Sequence, residues 1–194
     1  MSAPSPGLLL RASELIGRPV VTLSGELVAE IKDIVFERTG GRIAGFTLRN
    51  PGLFSRVRKD SLPWQGVHGV GRDAVMISDE TVLVPVKEIA PRKETRKADV
   101  LEDRVLTDSG RDLGRVVDVV LHSGATLEVV GYEVEASEAL GTGRRVLIPL
   151  PDTMAVSGEN LIVPAAATEF VSEDLAGFGA AVDAFRARLR EGAS

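Results

Sequence analysis

The chain contains no cysteine, and only 4% of its 194 residues are aromatic. The lack of cysteine excludes disulfide bonds, thiolate metal sites and cysteine nucleophiles, and it is typical of proteins from a reducing cytoplasm. The scarcity of aromatic residues predicts a core of valine, leucine, isoleucine and alanine. Such a core favours many short strands over a large aromatic-lined ligand pocket.

Long apolar runs and a secretion signal are also missing. No segment approaches the roughly 20 consecutive apolar residues that a membrane-spanning helix needs. Residues 1–7 carry no basic side chain ahead of the short apolar run at 8–10, whereas a signal peptide combines a basic start with a longer apolar stretch. We therefore expect a cytoplasmic protein that begins with a flexible tail.

An excess of positive charge is absent as well, since the net charge is −5. Residues 1–90 carry 11 basic and 10 acidic side chains, whereas residues 91–194 carry 12 basic and 18 acidic side chains. Proteins that bind nucleic acid through its phosphates usually show the opposite balance. Nucleic acid is therefore not expected as a partner.

The chain does contain an internal repeat. Residues 20–25 (VVTLSG) match residues 105–110 (VLTDSG), and the same offset of 85 aligns residues 31–36 with 116–121. After one inserted residue, an offset of 86 aligns Gly45 and Phe46 with Gly131 and Tyr132. A register that survives over such a length predicts two copies of one small module in tandem.

Each module is expected to be a small β-barrel. A helical turn over Ser13 to Gly17 precedes a short strand and a longer one, and tight glycine-containing turns separate the later strands. In the longer strand the apolar residues are spaced by three, three and two, which predicts a β-bulge beside Asp33 in the first copy and Asp118 in the second. These two carboxylates are interpreted either as functional groups or as caps of backbone N–H groups at the bulge.

The repeated motifs resemble the PRC-barrel family. They are ASELIG, SGELVAEIKDIVFE and RIAGFTL in the first copy, and DSGRDLGRVVDVVL and LEVVGYEV in the second. The resemblance covers residues 8–90 and 96–167 and implies a mainly β fold with one small barrel in each of these ranges. The family has no shared active site, and many of its stand-alone bacterial members are thought to be adaptors for protein assemblies. It includes the cytoplasmic part of a photosynthetic reaction-centre subunit and a domain of a ribosome-maturation factor.

No motif in the sequence points to catalysis or to a cofactor. Serine, histidine and aspartate are present, but no Gly-x-Ser-x-Gly elbow occurs. The two histidines, His68 and His122, fall at non-equivalent positions of the repeat and have no partner at ligand spacing. We therefore predict neither an enzyme, nor a cofactor, nor a metal site.

A basic loop at residues 49–59 distinguishes the first copy from the second. It combines four basic residues with a central apolar pair, whereas its counterpart at 135–145 mixes both charges and lacks an aromatic residue. One interpretation is a protein-binding surface, because recognition is commonly carried by loops on rigid scaffolds. The other is a solvated hairpin whose aromatic side chain folds onto the barrel. The candidate contact residues are Arg49, Leu53, Phe54, Arg56, Arg58 and Lys59.

The C-terminal segment 168–191 belongs to neither repeat and predicts an amphipathic helix. Its apolar residues recur at spacings of four and three, with acidic residues at its start and arginines at its end, as the helix dipole favours. The apolar stripe is expected either to dock on a barrel of the same chain or to form a symmetric homodimer. The stripe consists of Val171, Leu175, Phe178, Val182, Phe185 and Leu189.

Together these features favour a non-enzymatic adaptor that binds proteins of unknown identity, with association to a membrane protein complex left open. The alternative is a ribosome- or RNA-maturation factor, which rests on analogy with one branch of the family.

Overall fold

The computed structural model describes residues 7–37, 41–52, 56–90, 100–151 and 160–192. Over these ranges the chain is mainly β, as predicted. It forms two curled sheets of seven and six strands, with one long helix near the C-terminus. Among the described residues, no helix combines the length and the apolar character that crossing a membrane requires.

The first sheet has the strand order β6-β7-β2-β3-β4-β5-β8. Neighbouring strands are antiparallel except for β2 and β7, which run parallel. Side chains that point into the curl, including Val20, Ile31, Phe46 and Leu62, are fully buried. The strands are β2 (Pro19–Thr22), β3 (Leu27–Phe36), β4 (Ile43–Arg49), β5 (Val57–Pro63), β6 (Val67–Val70), β7 (Val75–Ile77) and β8 (Val84–Pro85).

The second sheet repeats this topology, with the order β12-β11-β10-β9-β13 and a parallel pairing of β9 with β13. Its strands are β9 (Arg104–Thr107), β10 (Asp112–Ser123), β11 (Leu127–Ala136), β12 (Arg145–Pro149) and β13 (Asn160–Val163). Strands β9 to β12 correspond in order to β2 to β5 of the first sheet, and β13 corresponds to β7. The prediction of a tandem repeat is therefore confirmed.

The bulge predicted from the apolar spacing is present in both modules. The register between β3 and β4 shifts between Ile31 and Asp33, and the register between β10 and β11 shifts between Val116 and Asp118. A bulge adds a residue to one strand and increases its local twist. The shift lets all the widely spaced apolar side chains of the long strand face the core.

The N-terminal arm, defined as residues 8–15, joins the second sheet rather than the first. It consists of strand β1 (Leu8–Arg11) and the helical turn α1 (Ala12–Leu15). Strand β1 pairs antiparallel with β10, so that Leu10 lies opposite Leu121. Leu10 and Leu15 are both buried. The repeat assigns the arm to the first module, but its hydrogen bonds and packing tie it to the second.

The two modules also meet at equivalent positions of their sheets. Arg42 forms an isolated antiparallel bridge with Glu128. Glu128 is the residue of the second copy that corresponds to Arg42 at the offset of 86. The N–H of Val129 donates to the carbonyl oxygen of Gly41 at 2.8 Å. Contact between equivalent positions indicates a local pseudo-twofold relation, as in a symmetric dimer. Buried apolar side chains of both modules form one continuous cluster.

Two further α-helices and four short 3-10 helices complete the described structure. The 3-10 helices are Trp64–Gly66, Glu80–Val82, Glu138–Leu140 and Ala165–Phe170. The short helix α2 (Val86–Ile89) follows β8 in the first module, and α3 (Leu175–Gly192) lies near the C-terminus. The side chain of Asp174 accepts a hydrogen bond from the N–H of Gly177 at 3.1 Å, which satisfies a free donor in the first turn of α3.

Candidate interaction surfaces

The basic loop is partly neutralised by its own module. The guanidinium of Arg58 donates two hydrogen bonds of 2.8 Å to Asp60 and one of 3.0 Å to the carbonyl of Val28. It also contacts Glu80 at 3.3 Å. The hydrogen bonds from Arg58 hold the pKa of the Asp60 carboxyl below its usual value. Arg58 therefore anchors β5, and less of its charge is available to a partner.

The other predicted loop residues divide into three groups. Arg49 is bound by Glu30, with its nitrogens 2.8 and 2.9 Å from the carboxylate. Arg56 and Lys59 are exposed. Leu53 and Phe54, the apolar centre of the prediction, lie outside the described residues. The loop therefore stays a prediction, with Arg56 and Lys59 as its accessible charges.

A groove of about 460 Å³ adjoins this loop. The Arg58–Asp60 pair forms one part of its lining. The other part is apolar and consists of β8 together with the residue that precedes this strand. The lining consists of Arg58, Lys59, Asp60, Leu83, Val84 and Pro85. No serine or histidine occurs among the described residues of its lining, and the aspartate is already paired with an arginine, so these residues provide no nucleophile with an adjacent base.

The C-terminal helix docks on the second module of the same chain. Phe178 and Phe185 are fully buried, Val182 is nearly so, and Val171, Leu175 and Leu189 are half-buried. Phe178 packs with Val120, Val130 and Leu147, and Leu9 of the N-terminal arm joins the same cluster. In this structure the predicted apolar stripe is thus covered by the chain itself.

A glycine makes this docking possible. A Cβ atom placed on Gly131 would lie 2.3 Å from Cζ of Phe178 and 2.6 Å from the carbonyl oxygen of Ile148. Contacts that short do not occur between real atoms, so a larger residue at this position would displace the helix. Phe185 follows Phe178 by seven residues on the same helix. The centroid of its ring lies 5.7 Å from that of Phe170, and its side chain belongs to the main core.

A pair of buried carboxylates lies where the N-terminal arm meets the second sheet. Asp118 and Glu133 are opposite each other on β10 and β11, and they are 7% and 5% exposed. Arg11 donates two hydrogen bonds of 3.0 Å to Glu133, and these bonds raise the pKa of the arginine. Arg11 of the N-terminal arm therefore compensates part of the negative charge of these two carboxylates.

Asp118 acts as a cap, which supports the structural interpretation of this residue. It accepts hydrogen bonds from the N–H of Val119 at 2.8 Å and from the N–H of Ser13 at 3.2 Å, as well as one from the Ser13 hydroxyl. Ser13 stands in the first turn of α1, where a negative charge is favourable. Its repeat counterpart Asp33 differs, since its described partners are the side chains of Thr47 and Lys32.

A second buried acidic feature involves Asp103 and Tyr132. One carboxylate oxygen of Asp103 is buried without a hydrogen-bond partner among the described residues. Tyr132 is 3% exposed. Burial, and next the negative charge of Asp103, raise the pKa of the Tyr132 phenol above its usual value. Within the described ranges, no three acidic or histidine side chains are arranged to hold a metal ion.

An exposed apolar surface in the first module was missed by the sequence analysis. Leu23 and Leu27, on either side of the turn between β2 and β3, are 57% and 51% exposed. Leu27 lies opposite Val21, which in turn lies beside Met76 of β7. Residues opposite each other share one face of a sheet. We call this outer face the hairpin patch, made of Val21, Leu23, Leu27 and Met76.

A difference between the two copies of the repeat predicts this patch. The counterparts of Leu23 and Leu27 in the second module are Asp108 and Asp112. Both aspartates have partners within the second module. Asp108 accepts a hydrogen bond from the N–H of Ala165 at 3.0 Å, and Asp112 forms an ion pair with Arg104 at 2.5 Å. Comparing the two copies at surface positions, rather than at core positions only, would have revealed the difference.

Comparison with known proteins gives one family. The model of the PRC-barrel domain matches residues 9–94 and, a second time, residues 92–169. The two matches coincide with the two modules and together cover most of the chain. No curated protein is detectably similar to it.

Proposed function

Because the chain belongs to the PRC-barrel domain family, we propose that it is a non-enzymatic adaptor of the cytoplasm that brings proteins together in an assembly. Its two modules form one scaffold with a continuous core. The buried carboxylates Asp118 and Glu133 are bound by the N-terminal arm, which gives them a structural use. Scaffolds of this kind present loops and outer strands for recognition.

The observation that carries this proposal is the hairpin patch. Two leucines with about half of their surface exposed stand side by side on a face where the second module carries aspartates. Contiguous exposed apolar side chains rimmed by polar residues mark interaction sites more often than scattered ones do. The acidic second half of the chain argues against the alternative of an RNA-maturation factor.

The proposal is tested by purifying the full chain at its native expression level after brief chemical crosslinking in the host. An adaptor is expected to elute in a defined complex of constant stoichiometry, with crosslinks that map to its surface. Elution of the whole population as free chain, with no crosslinked protein, would refute the adaptor role. Treatment of the complex with ribonuclease separates the two candidate functions, because an RNA-dependent complex would dissociate.

A further inference from the structure

The hairpin patch is placed by backbone contacts that both modules make, so the two copies differ here in their side chains and not in their backbone. The N–H of Leu23 donates to the carbonyl oxygen of Ile77 at 2.9 Å, which sets the turn between β2 and β3 beside the end of β7. Leu27 begins β3 on the same face as Val21. The four side chains of the patch thus form a contiguous apolar surface on the outside of the first module.

The fold of the module does not require these leucines. The second module builds the same hairpin with Asp108 and Asp112 at the equivalent positions. In both copies a threonine hydroxyl, that of Thr22 or Thr107, accepts the N–H four residues later and binds the turn serine. Because these hydrogen bonds define the turn in each copy, the leucines contribute surface rather than structure.

Acidic side chains flank the patch, and they too are specific to the first module. Glu26 precedes Leu27 and is exposed, and Asp79 follows β7 by two residues. Hydrogen bonds from Thr81 hold the pKa of Asp79 below its usual value, so it stays ionised. Glu80 lies at the same end of the module, but its charge is already paired with Arg58, which also binds the carbonyl of Val28. Glu26 and Asp79 therefore supply the charge of the rim that a partner would meet.

The counterparts of these three acids in the second module carry no negative charge. They are Arg111, Ala165 and Ala166. The first module therefore has two leucines with acids around them. The second module has aspartates at both leucine positions, no acid at the three flanking positions, and only Leu106 and Ile162 as apolar residues of this face. A partner that covers the patch must offer apolar side chains and compensate the flanking negative charge.

Resting on the proposed adaptor function, we propose that the hairpin patch docks a protein segment that carries apolar side chains flanked by lysine or arginine. A second copy of this chain is the less suitable occupant. Two hairpin patches facing each other across a twofold axis would bring their acidic rims together, and like charges opposed at an interface oppose binding. The apolar centre supplies contact area, and the rim selects the charge of the partner.

The first experiment titrates the full, isotope-labelled chain with a synthetic amphipathic helix of leucine and lysine. Amide shifts are expected at the hairpin patch, in residues 21–27 and 75–77. The variant Leu23→Asp with Leu27→Asp, which copies the second module, should weaken binding at least tenfold. Replacing every lysine of the peptide by glutamate should weaken it similarly, and added salt should raise the Kd for the lysine peptide.

A matched control lies on the second module. Ile162 is the repeat counterpart of Met76 and is 51% exposed. The variant Ile162→Asp should bind the lysine peptide as the unmodified chain does. The double leucine variant should keep the melting temperature of the unmodified chain, because the same hairpin tolerates aspartate in the second module. Equal binding by the double leucine variant, or shifts that map to another surface, would overturn the proposal.

The same double variant distinguishes this proposal from the adaptor function itself. If the crosslinked complex forms with both the unmodified chain and the variant, the chain is an adaptor and the patch is not its docking site. If neither forms a complex, the adaptor function fails. Concentration-dependent dimers that disappear in the variant would show that the occupant is a second copy, which also overturns the proposal.

Discussion

Arg11 and Glu133, which belong to different copies of the repeat, are joined by two hydrogen bonds of 3.0 Å. The carboxylate of Glu133 is almost completely buried, whereas the arginine side chain is 27% exposed. The bond fastens the N-terminal arm to the second sheet next to Asp118 and Ser13. The arm thus links the two modules from the outset of the chain.

Replacing Arg11 by leucine should leave the buried Glu133 without a counter-charge. Breaking a buried pair from one side commonly costs 3–5 kcal/mol, and partial exposure of the arginine puts the expected loss near the lower end, about 3 kcal/mol. Urea unfolding of the full chain measures it. The double variant Arg11→Leu with Glu133→Leu removes both charges and should be less destabilised than Arg11→Leu alone. An equal or larger loss in the double variant would contradict this account.

The phenol of Tyr132 should resist ionisation in the folded protein. Burial raises its pKa, so its contribution to stability is present below the unfolded value of about 10 and declines as the pH rises beyond it. Tyr132 is the single tyrosine, and ultraviolet absorbance therefore reports its titration directly. Phenolate absorbance should appear only well above pH 10. In Asp103→Asn it should appear at lower pH, because a neighbouring negative charge is removed. A titration at the usual pH would refute the burial of this side chain.

Gly131 should be required for docking of α3. The variant Gly131→Ala forces Phe178 away, because its Cβ would lie 2.3 Å from the ring. Overpacking of this kind typically costs about 1–3 kcal/mol. Gly69→Ala is the control, since no atom of the described residues lies within 4 Å of a Cβ at that position, and it should be close to neutral in thermal melting. Equal melting temperatures for the two variants would show that the helix adjusts freely.

The choice between docking and dimerisation of α3 can be measured with one variant. Phe178→Asp with Phe185→Asp places two charges where both rings are fully buried. A lower melting temperature at unchanged mass in light scattering is expected, because the stripe packs on its own module. Loss of dimer mass would instead support self-association. Truncation of Phe178 alone to alanine should cost about 3–5 kcal/mol.

The basic loop is tested separately with Phe54→Ser, Arg56→Glu and Lys59→Glu. Arg58 is left unchanged because it binds Asp60 within the module. If the loop is a contact surface, the crosslinked complex should be lost at an unchanged melting temperature. The loop and the hairpin patch call for partners of opposite charge, so the two sets of variants distinguish the two surfaces. Retention of the complex would show that the loop is an ordinary solvated hairpin.

The sequence was sufficient for the repeat, the bulges and the helix, because each leaves a periodic mark along the chain. The offset between Val20 and Val105 revealed the modules. The irregular apolar spacing around Asp33 and Asp118 predicted the bulges, which the register shifts confirm. The helix was predicted over residues 168–191, whereas α3 begins at Leu175. The start differs because residues 165–170 form a separate 3-10 helix and Ser172 pairs with Leu147 of β12.

Only the tertiary structure decided which parts of the chain meet. Periodicity records the environment of each residue but not the identity of its neighbour, so it could not place the N-terminal arm on the second sheet. Asp33 and Asp118 have the same local pattern, but only Asp118 caps α1, because only there does the arm arrive. Leu23 and Leu27 are exposed because none of the described elements covers them. Alternation along a strand predicts which face a side chain occupies, whereas contacts between distant segments determine whether that face is covered.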